Sequence, residues 1–437
     1  MQTLKELILD AQANPLFTGI PRDLKIEALP GKAAIVIGVR RCGKSTYINQ
    51  IASQLLAKGV PAENLFYINF FDDRLSNLKN DGLTNVAEAY FSIYPEKKNK
   101  EKIYCFFDEI QVVPGWEKFV DRLLRTENCE VYITGSSSKL LSKEIATQMR
   151  GRSLSWELFP FSFEEFLTTY QINYESPFPT QKRLTIQKTF EAYFEKGGFP
   201  EVIEAGKNLR IKIHQEYFNS ILFRDLIERY DIRHPRALMD LARWLIDNIA
   251  SSYSLNSLTK YLKLFGHKVH KNIVSQYLDW LEDAYFLFTV KVFDASLRKS
   301  NANPKKIYCI DQSLVKSVST GIFVNSGRLL ENMVFIALRR IVPNIWYYKT
   351  KGNHEVDFIV QTMDNKKFLF QVSESLANHD TRQREINSLR NAMKELRLKS
   401  GMIITYSDFE QVETENGIIR IIPAWRFFLE DIKKYVS

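Results

Sequence analysis

Four continuous apolar runs punctuate the first 135 residues of the chain, at positions 33–37, 65–70, 103–107 and 131–134. None alternates apolar with polar residues, as befits strands covered on both faces, and helical segments separate them. The helix after the first run extends from Ser45 to about Lys58, with Ile48, Ile51 and Leu55 on one face and Gly59 as its stop. This order predicts a parallel α/β sheet. Residues 160–250 read as helical, broken at Gly197-Gly198-Phe199-Pro200. A short helix at 255–262, a turn at Gly266-His267-Lys268, a helix at 271–282 and a hairpin with strands at 286–292 and 307–310 follow, which is a winged-helix pattern. From about residue 321 the order is helix, strand, strand, strand, helix, strand. The 437 residues therefore divide into a sheet domain at 1–165, a helical lid and linker at 166–250, a winged helix at 251–318 and a second α/β domain at 319–437.

The first strand runs into Gly38-Val39-Arg40-Arg41-Cys42-Gly43-Lys44-Ser45, a match to G-x-x-x-x-G-K-[ST], with Thr46 next. Strand, glycine loop and helix start together make a phosphate cradle. Backbone N–H groups wrap the phosphates, and the helix dipole adds positive potential. Gly38 and Gly43 permit backbone angles and a close approach that a Cβ would block. In this reading residues 38–46 bind ATP, Lys44 reaches the β- and γ-phosphates, and the Ser45 hydroxyl ligates Mg²⁺.

The third run ends in Asp108 and Glu109. Phosphoryl transfer needs a carboxylate on the metal side and a group that orients the attacking water. Asp108 suits the first role and Glu109 the second, so Lys44, Asp108 and Glu109 form the expected catalytic set. The fourth run leads into Gly135-Ser136-Ser137-Ser138, where a polar side chain can sense the γ-phosphate. Ser136 is the first choice for that sensor and Thr134 the second. Arg150 and Arg152 are candidates for an arginine finger, supplied in cis or in trans.

The run Thr134-Gly135-Ser136-Ser137-Ser138-Lys139-Leu140-Leu141 is followed by Arg150-Gly151-Arg152 and then Leu158-Phe159-Pro160-Phe161-Ser162-Phe163-Glu164-Glu165-Phe166. With the motifs at 38–45 and 103–109, the chain resembles prokaryotic AAA-type ATPases that carry a C-terminal domain of unknown function. The resemblance spans nearly the whole chain and extends to the origin-recognition and archaeal ATPase branches. It implies ATP binding and hydrolysis, and homo-oligomeric assembly as one possible state.

Composition is that of an ordinary globular protein, 45% hydrophobic and 25% charged. No apolar run approaches the roughly 20 residues that span a bilayer. The start, Met1-Gln2-Thr3-Leu4-Lys5-Glu6, lacks the basic-then-apolar pattern of a signal peptide, so a cytoplasmic location without a membrane partner is expected. Cys42, Cys105, Cys129 and Cys309 show no metal-ligand spacing, and reduced thiols are expected.

The net charge of +9 permits nucleic-acid binding. Its placement is more telling, because residues 256–306 hold nine Lys or Arg against four acids. In a DNA-bound winged helix, Lys268, His270 and Lys271 would lie at the N-terminal end of the second helix. Arg298, Lys299, Lys305 and Lys306 would lie on phosphates. The C-terminal element order resembles the restriction-endonuclease-like fold. Its active form carries an acid on the second strand and Glu-x-Lys on the third, around a divalent metal. Here Asp357 matches the first acid and Glu331 is the helix acid, but the tripeptide is Gln371-Val372-Ser373. A neutral amide and a hydroxyl replace carboxylate and lysine, so this domain is expected not to cleave DNA. The expected protein is thus an Mg²⁺-dependent ATPase that associates with double-stranded DNA. A nucleotide-gated signalling or scaffold switch with a protein partner is the alternative, and a metal-dependent nuclease ranks third.

Overall fold

The computed structural model describes residues 1–14, 16–76, 78, 82–135, 149, 151–294, 296–322 and 324–432. They form two compact units, Met1–Phe159 with Asp283–Tyr285, and Pro160–Glu282 with Phe286–Ser437. The first boundary falls just before Ser162, whose side chain caps the N3 amide of Glu165 while the Glu165 carboxylate accepts from the Ser162 N–H. That capping box starts a helix of the second unit.

In the first unit, α1 (Gln2–Ala13) precedes an alternation of β1 (Ala33–Ile37), α2 (Lys44–Ala57), β2 (Leu65–Asn69), α3 (Thr84–Ile93), β3 (Ile103–Asp108), α4 (Trp116–Thr126), β4 (Cys129–Thr134) and β5 (Ser153–Glu157). The sheet order is β2-β3-β4-β1-β5 and every pairing is parallel. All five β1 side chains are buried, as its unbroken apolar run requires. The β5 strand escapes a hydrophobicity reading because Ser153-Leu154-Ser155-Trp156-Glu157 is mixed in polarity and lies at a sheet edge.

The second unit begins with α5 (Phe163–Thr169), α6 (Thr180–Lys196) and α7 (Lys207–Ser220). Next come α8 (Pro235–Asp247), β6 (Ser252–Tyr253), α9 (Leu255–Leu264), α10 (Lys271–Asp283), β7 (Leu287–Val290), α11 (Leu297–Ala302) and β8 (Lys305–Cys309). The small sheet is antiparallel with β8 central, in the order β6-β8-β7. The sequence pattern places an irregular basic turn between β7 and β8. A short helix, α11, occupies that stretch instead, and the chain before it is bonded to another strand. The Tyr347 N–H donates to the Lys291 carbonyl at 3.0 Å, and the Phe293 N–H donates to the Tyr347 carbonyl at 2.7 Å.

That strand belongs to the last part of the unit. There α12 (Gln312–Val318) and α13 (Ser326–Arg339) lead into β9 (Ile345–Lys349), β10 (Glu355–Gln361), β11 (Lys367–Val372), α14 (His379–Leu396), β12 (Ser400–Thr405), β13 (Glu410–Thr414) and β14 (Gly417–Pro423). The sheet order is β13-β14-β12-β11-β10-β9, mixed in direction. Its core packs Leu389, Ala392 and Met393 of α14 against Val356, Leu369, Ile403, Ile419 and Ile421.

Candidate functional site

The loop between β1 and α2 is built by backbone geometry first. Gly38 and Gly43 have φ of +152° and +99°, and Arg41 is also left-handed at +66°. A Cβ on Gly38 would lie 2.1 Å from the Leu158 carbonyl oxygen, so glycine is needed there for space as well as for its angle. The amides that follow open α2, whose N-terminal dipole favours an anion. Lys44 is buried at 6% exposure, and its ammonium donates to the Gly38 and Val39 carbonyls at 3.0 and 2.9 Å. Cys42 is buried and Thr46 lies on the first turn of α2.

Ser45 faces the end of β3, where its hydroxyl donates to Asp108 Oδ1 at 3.0 Å. The hydroxyl and carboxylate expected to share a Mg²⁺ are therefore neighbours across the sheet edge. Asp108 is buried and also accepts from the Tyr67 hydroxyl at 3.4 Å. Burial raises the Tyr67 pKa, and the adjacent Asp108 charge raises it further. Thr134 connects the two acids, donating from Oγ1 to Asp108 Oδ1 and accepting from the Glu109 N–H at 3.2 Å. Sheet order explains this, because β4 lies between β1 and β3 and Val36 pairs with Thr134. Glu109 adopts a left-handed conformation at φ +55°, and its carboxylate accepts from Gln111 Nε2 at 2.6 Å. Burial holds the Glu109 pKa above its ordinary value, partly offset by Lys44 and reinforced by Asp108.

Two groups at this site give no motif signal. Arg22 donates from Nη1 to the Cys42 carbonyl at 2.8 Å, and Gln50 donates to the Ile20 carbonyl at 2.6 Å while accepting from the Arg22 N–H. Together they fasten the segment before β1 onto the phosphate loop and α2. Ser136 and Arg150 lie outside the described residues. Arg152 is half-buried, with Nε 3.6 Å from Asp121 of α4.

In the second unit, Lys268, His270 and Lys271 are exposed around the start of α10, and Arg298 is exposed on α11, which also contains Lys299. Lys305 is half-buried. Lys306 departs from its expected place on DNA phosphates, because it is 3% exposed and its ammonium is taken up by carboxylates. These belong to Glu331 at 3.0 Å, Glu355 at 2.9 Å and Asp357 at 2.8 Å. Burial alone would lower the Lys306 pKa, but Asp357 and Glu331 outweigh it and raise it well above the usual lysine value. Burial, with the Asp357 charge, pushes Glu331 up to about 7.

Glu331 and Asp357 thus converge, on an ammonium. Gln371 joins them indirectly, accepting from the Asp357 N–H at 3.2 Å and donating to Glu385 at 2.7 Å. The Ser373 hydroxyl donates to the Ser375 carbonyl at 3.1 Å. The pattern reading passed over Glu355, although it lies two residues before Asp357 and hence on the same strand face. Among the described residues, no three His, Cys, Asp or Glu side chains stand together as a ready metal site, and no helix is long and apolar enough to cross a membrane.

Family models match three segments of the chain: an AAA domain at residues 30–167, a domain of unknown function (DUF8612) at 187–323 and another (DUF4143) at 326–427. The chain is 37% identical over 421 residues to the uncharacterized protein MJ1544 of Methanocaldococcus jannaschii, covering 94% of this chain and 91% of that protein. It is 28% identical over 393 residues to an uncharacterized protein of Haemophilus influenzae, covering 90% and 93% respectively. Among solved structures, that of the Aeropyrum pernix ORC1 protein in complex with DNA aligns over 74% of this chain and 91% of its own. Its 12% identity and TM-score of 0.32 are too low to carry an argument about function.

Proposed function

Because the chain belongs to the family of the Methanocaldococcus jannaschii protein and carries an AAA-type P-loop domain, we propose that it binds ATP with Mg²⁺ and hydrolyses it. The observation that carries this reading is the 3.0 Å contact of Ser45 with Asp108, with Glu109 next in the chain. Residues 38–46 hold the phosphates, Ser45 and Asp108 hold the metal, and Glu109 orients the attacking water. Thr134 keeps both acids in position and serves as the sensor. A bound Mg²⁺ supplies charge neutralisation for the phosphates.

The test is steady-state ATP hydrolysis together with nucleotide binding. The Lys44→Ala variant should lose ATP binding. The Glu109→Gln variant should keep binding and lose about 10²–10⁴-fold in turnover. Full turnover in Glu109→Gln would remove Glu109 from the mechanism.

The second unit is read as a winged helix followed by a restriction-endonuclease-like domain that does not cleave. The order α8, β6, α9, α10, β7, α11 and β8, with β8 central in the small sheet, supports the first part. Of the candidate phosphate contacts, Lys268, His270, Lys271 and Arg298 are exposed and could reach duplex phosphates. The occupied Gln371 amide and the Ser373 hydroxyl bonded to the Ser375 carbonyl support a non-cleaving domain. A specific observation favours the second reading, a nucleotide-gated switch with a protein partner. The chain after β7 is bonded to β9 and Lys306 is buried, so part of the expected DNA-facing charge already serves an internal contact. ATP turnover that rises with duplex DNA supports the first reading, and turnover indifferent to DNA supports the second.

A further inference from the structure

Lys306 lies at the middle of the small sheet, paired with Ser252 of β6 on one side and Val290 of β7 on the other. Its side chain leaves that sheet and enters the α/β part of the same unit. There three oxygens meet one nitrogen: Glu331 Oε1 from α13, and Glu355 Oε1 and Asp357 Oδ1 from β10. The Lys306 ammonium donates to Glu331 Oε1 and Asp357 Oδ1, and Glu355 Oε1 lies within ion-pair distance of it. The acids are anchored independently. Asp357 Oδ2 accepts from the Val372 N–H at 3.0 Å, and Glu331 Oε1 accepts from the Tyr308 hydroxyl at 2.7 Å.

Burying a lysine is costly unless its charge is met, and the nearly buried Asp357 and Glu331 would be costly to leave without a counter-ion, while the third acid, Glu355, is one-third exposed and also lies 3.7 Å from the Lys349 ammonium. Neither side of this cluster is tolerable without the other. We propose that Lys306 is the resident cation of this carboxylate pocket, that it takes the place a divalent metal would otherwise fill, and that it latches the three-stranded sheet to the C-terminal α/β part. Distances agree with an ammonium as occupant. The oxygens stand 2.8–3.0 Å from Nζ. Calcium takes oxygens at about 2.3–2.6 Å and magnesium at about 2.0–2.1 Å. The carboxylates are spaced for N–H donors and would have to close in before a metal could bind.

The proposal is independent of the ATPase reading and is tested on the full chain without nucleotide. An Asp108→Asn background removes the metal-side carboxylate of the AAA domain. Thermal unfolding of that parent should be indifferent to millimolar Mn²⁺. Adding Lys306→Met should lower the midpoint of the second unit by about 10 °C, the scale of breaking a buried pair in a domain of this size. Mn²⁺ should then raise it, because the vacated pocket accepts a cation. Adding Glu331→Gln and Asp357→Asn to Lys306→Met should recover most of the loss without Mn²⁺ and abolish the Mn²⁺ response.

An unchanged midpoint in Lys306→Met would overturn the latch. A Mn²⁺ shift in the Lys306-containing parent equal to that in Lys306→Met would overturn the claim that lysine excludes the metal. Failure of Mn²⁺ to raise the Lys306→Met midpoint would overturn the pocket as a cation site. If Lys306→Met does not fold, the charge-neutralised triple variant decides. A folded triple supports the counter-ion role, and an unfolded triple assigns the effect to packing and overturns it.

Discussion

At the scale of single residues, one threonine is shared between two acids in the first unit. Thr134 donates to Asp108 and accepts from the Glu109 amide, so under the proposed mechanism it would fix the metal-side carboxylate and the base together. A Thr134→Val variant keeps the shape and removes both bonds. Its turnover should fall by about 10–100-fold, the usual cost of losing an outer-shell partner, with nucleotide affinity nearly unchanged. Equal loss of affinity and turnover would place Thr134 in binding alone. The raised pKa of Glu109 has two consequences with opposite readouts. A base must be ionised, so turnover should fall as pH drops through a pKa above the ordinary glutamate range. Stability moves the other way. The folded state binds this proton more tightly than the unfolded chain, so the contribution is present at low pH and lost as pH rises through the raised value. Chemical denaturation should therefore show Glu109→Gln gaining on the natural protein as pH rises. A pH-independent difference would exclude the linkage.

At the scale of elements, glycines mark where backbones touch. The break at Gly197-Gly198-Phe199-Pro200 is visible as composition, and its cause is contact. The Phe161 N–H donates to the Gly198 carbonyl at 2.6 Å, and the Gly198 N–H donates to Asp311 Oδ2 at 2.7 Å. A Cβ on Gly198 would lie 2.4 Å from the Phe161 carbonyl oxygen. The same Asp311 caps α12 by accepting from the Ser313 and Leu314 amides. Gly198→Ala should therefore destabilise the second unit by about 1–3 kcal/mol, read as a lower denaturation midpoint, and leave ATP binding intact. An unchanged midpoint would mean that the chain at 161 and 198 can separate without cost.

At the scale of the whole molecule, surface charge points to a partner, and burial edits that charge. Lys268, Lys271 and Arg298 are exposed, whereas Lys306 is consumed inside the fold. If duplex DNA is the partner, affinity should fall linearly with log salt, and each of Lys268→Ala, Lys271→Ala and Arg298→Ala should reduce the slope by about one. Lys306→Gln should leave that slope unchanged. A salt-independent complex, or a loss of slope in Lys306→Gln, would contradict the assignment of which charges face outward.

The sequence by itself determined what is written locally. A continuous apolar run implies a strand covered on both faces, and a glycine loop between strand and helix implies a phosphate cradle. An acid pair after an apolar run implies a metal-side carboxylate and a base. Each depends on neighbours within about ten residues, so periodicity and motif reach it. The tertiary structure alone decided which elements became neighbours. Strand order placed β4 between β1 and β3, and so joined Thr134 to Asp108. Pairing joined the chain after β7 to β9, and packing carried Lys306 into Glu331, Glu355 and Asp357. Hydropathy marks which face of a strand is apolar. It does not mark what will cover that face, because a lysine on a solvated edge and a lysine closing a carboxylate pocket have the same local pattern until distant segments meet.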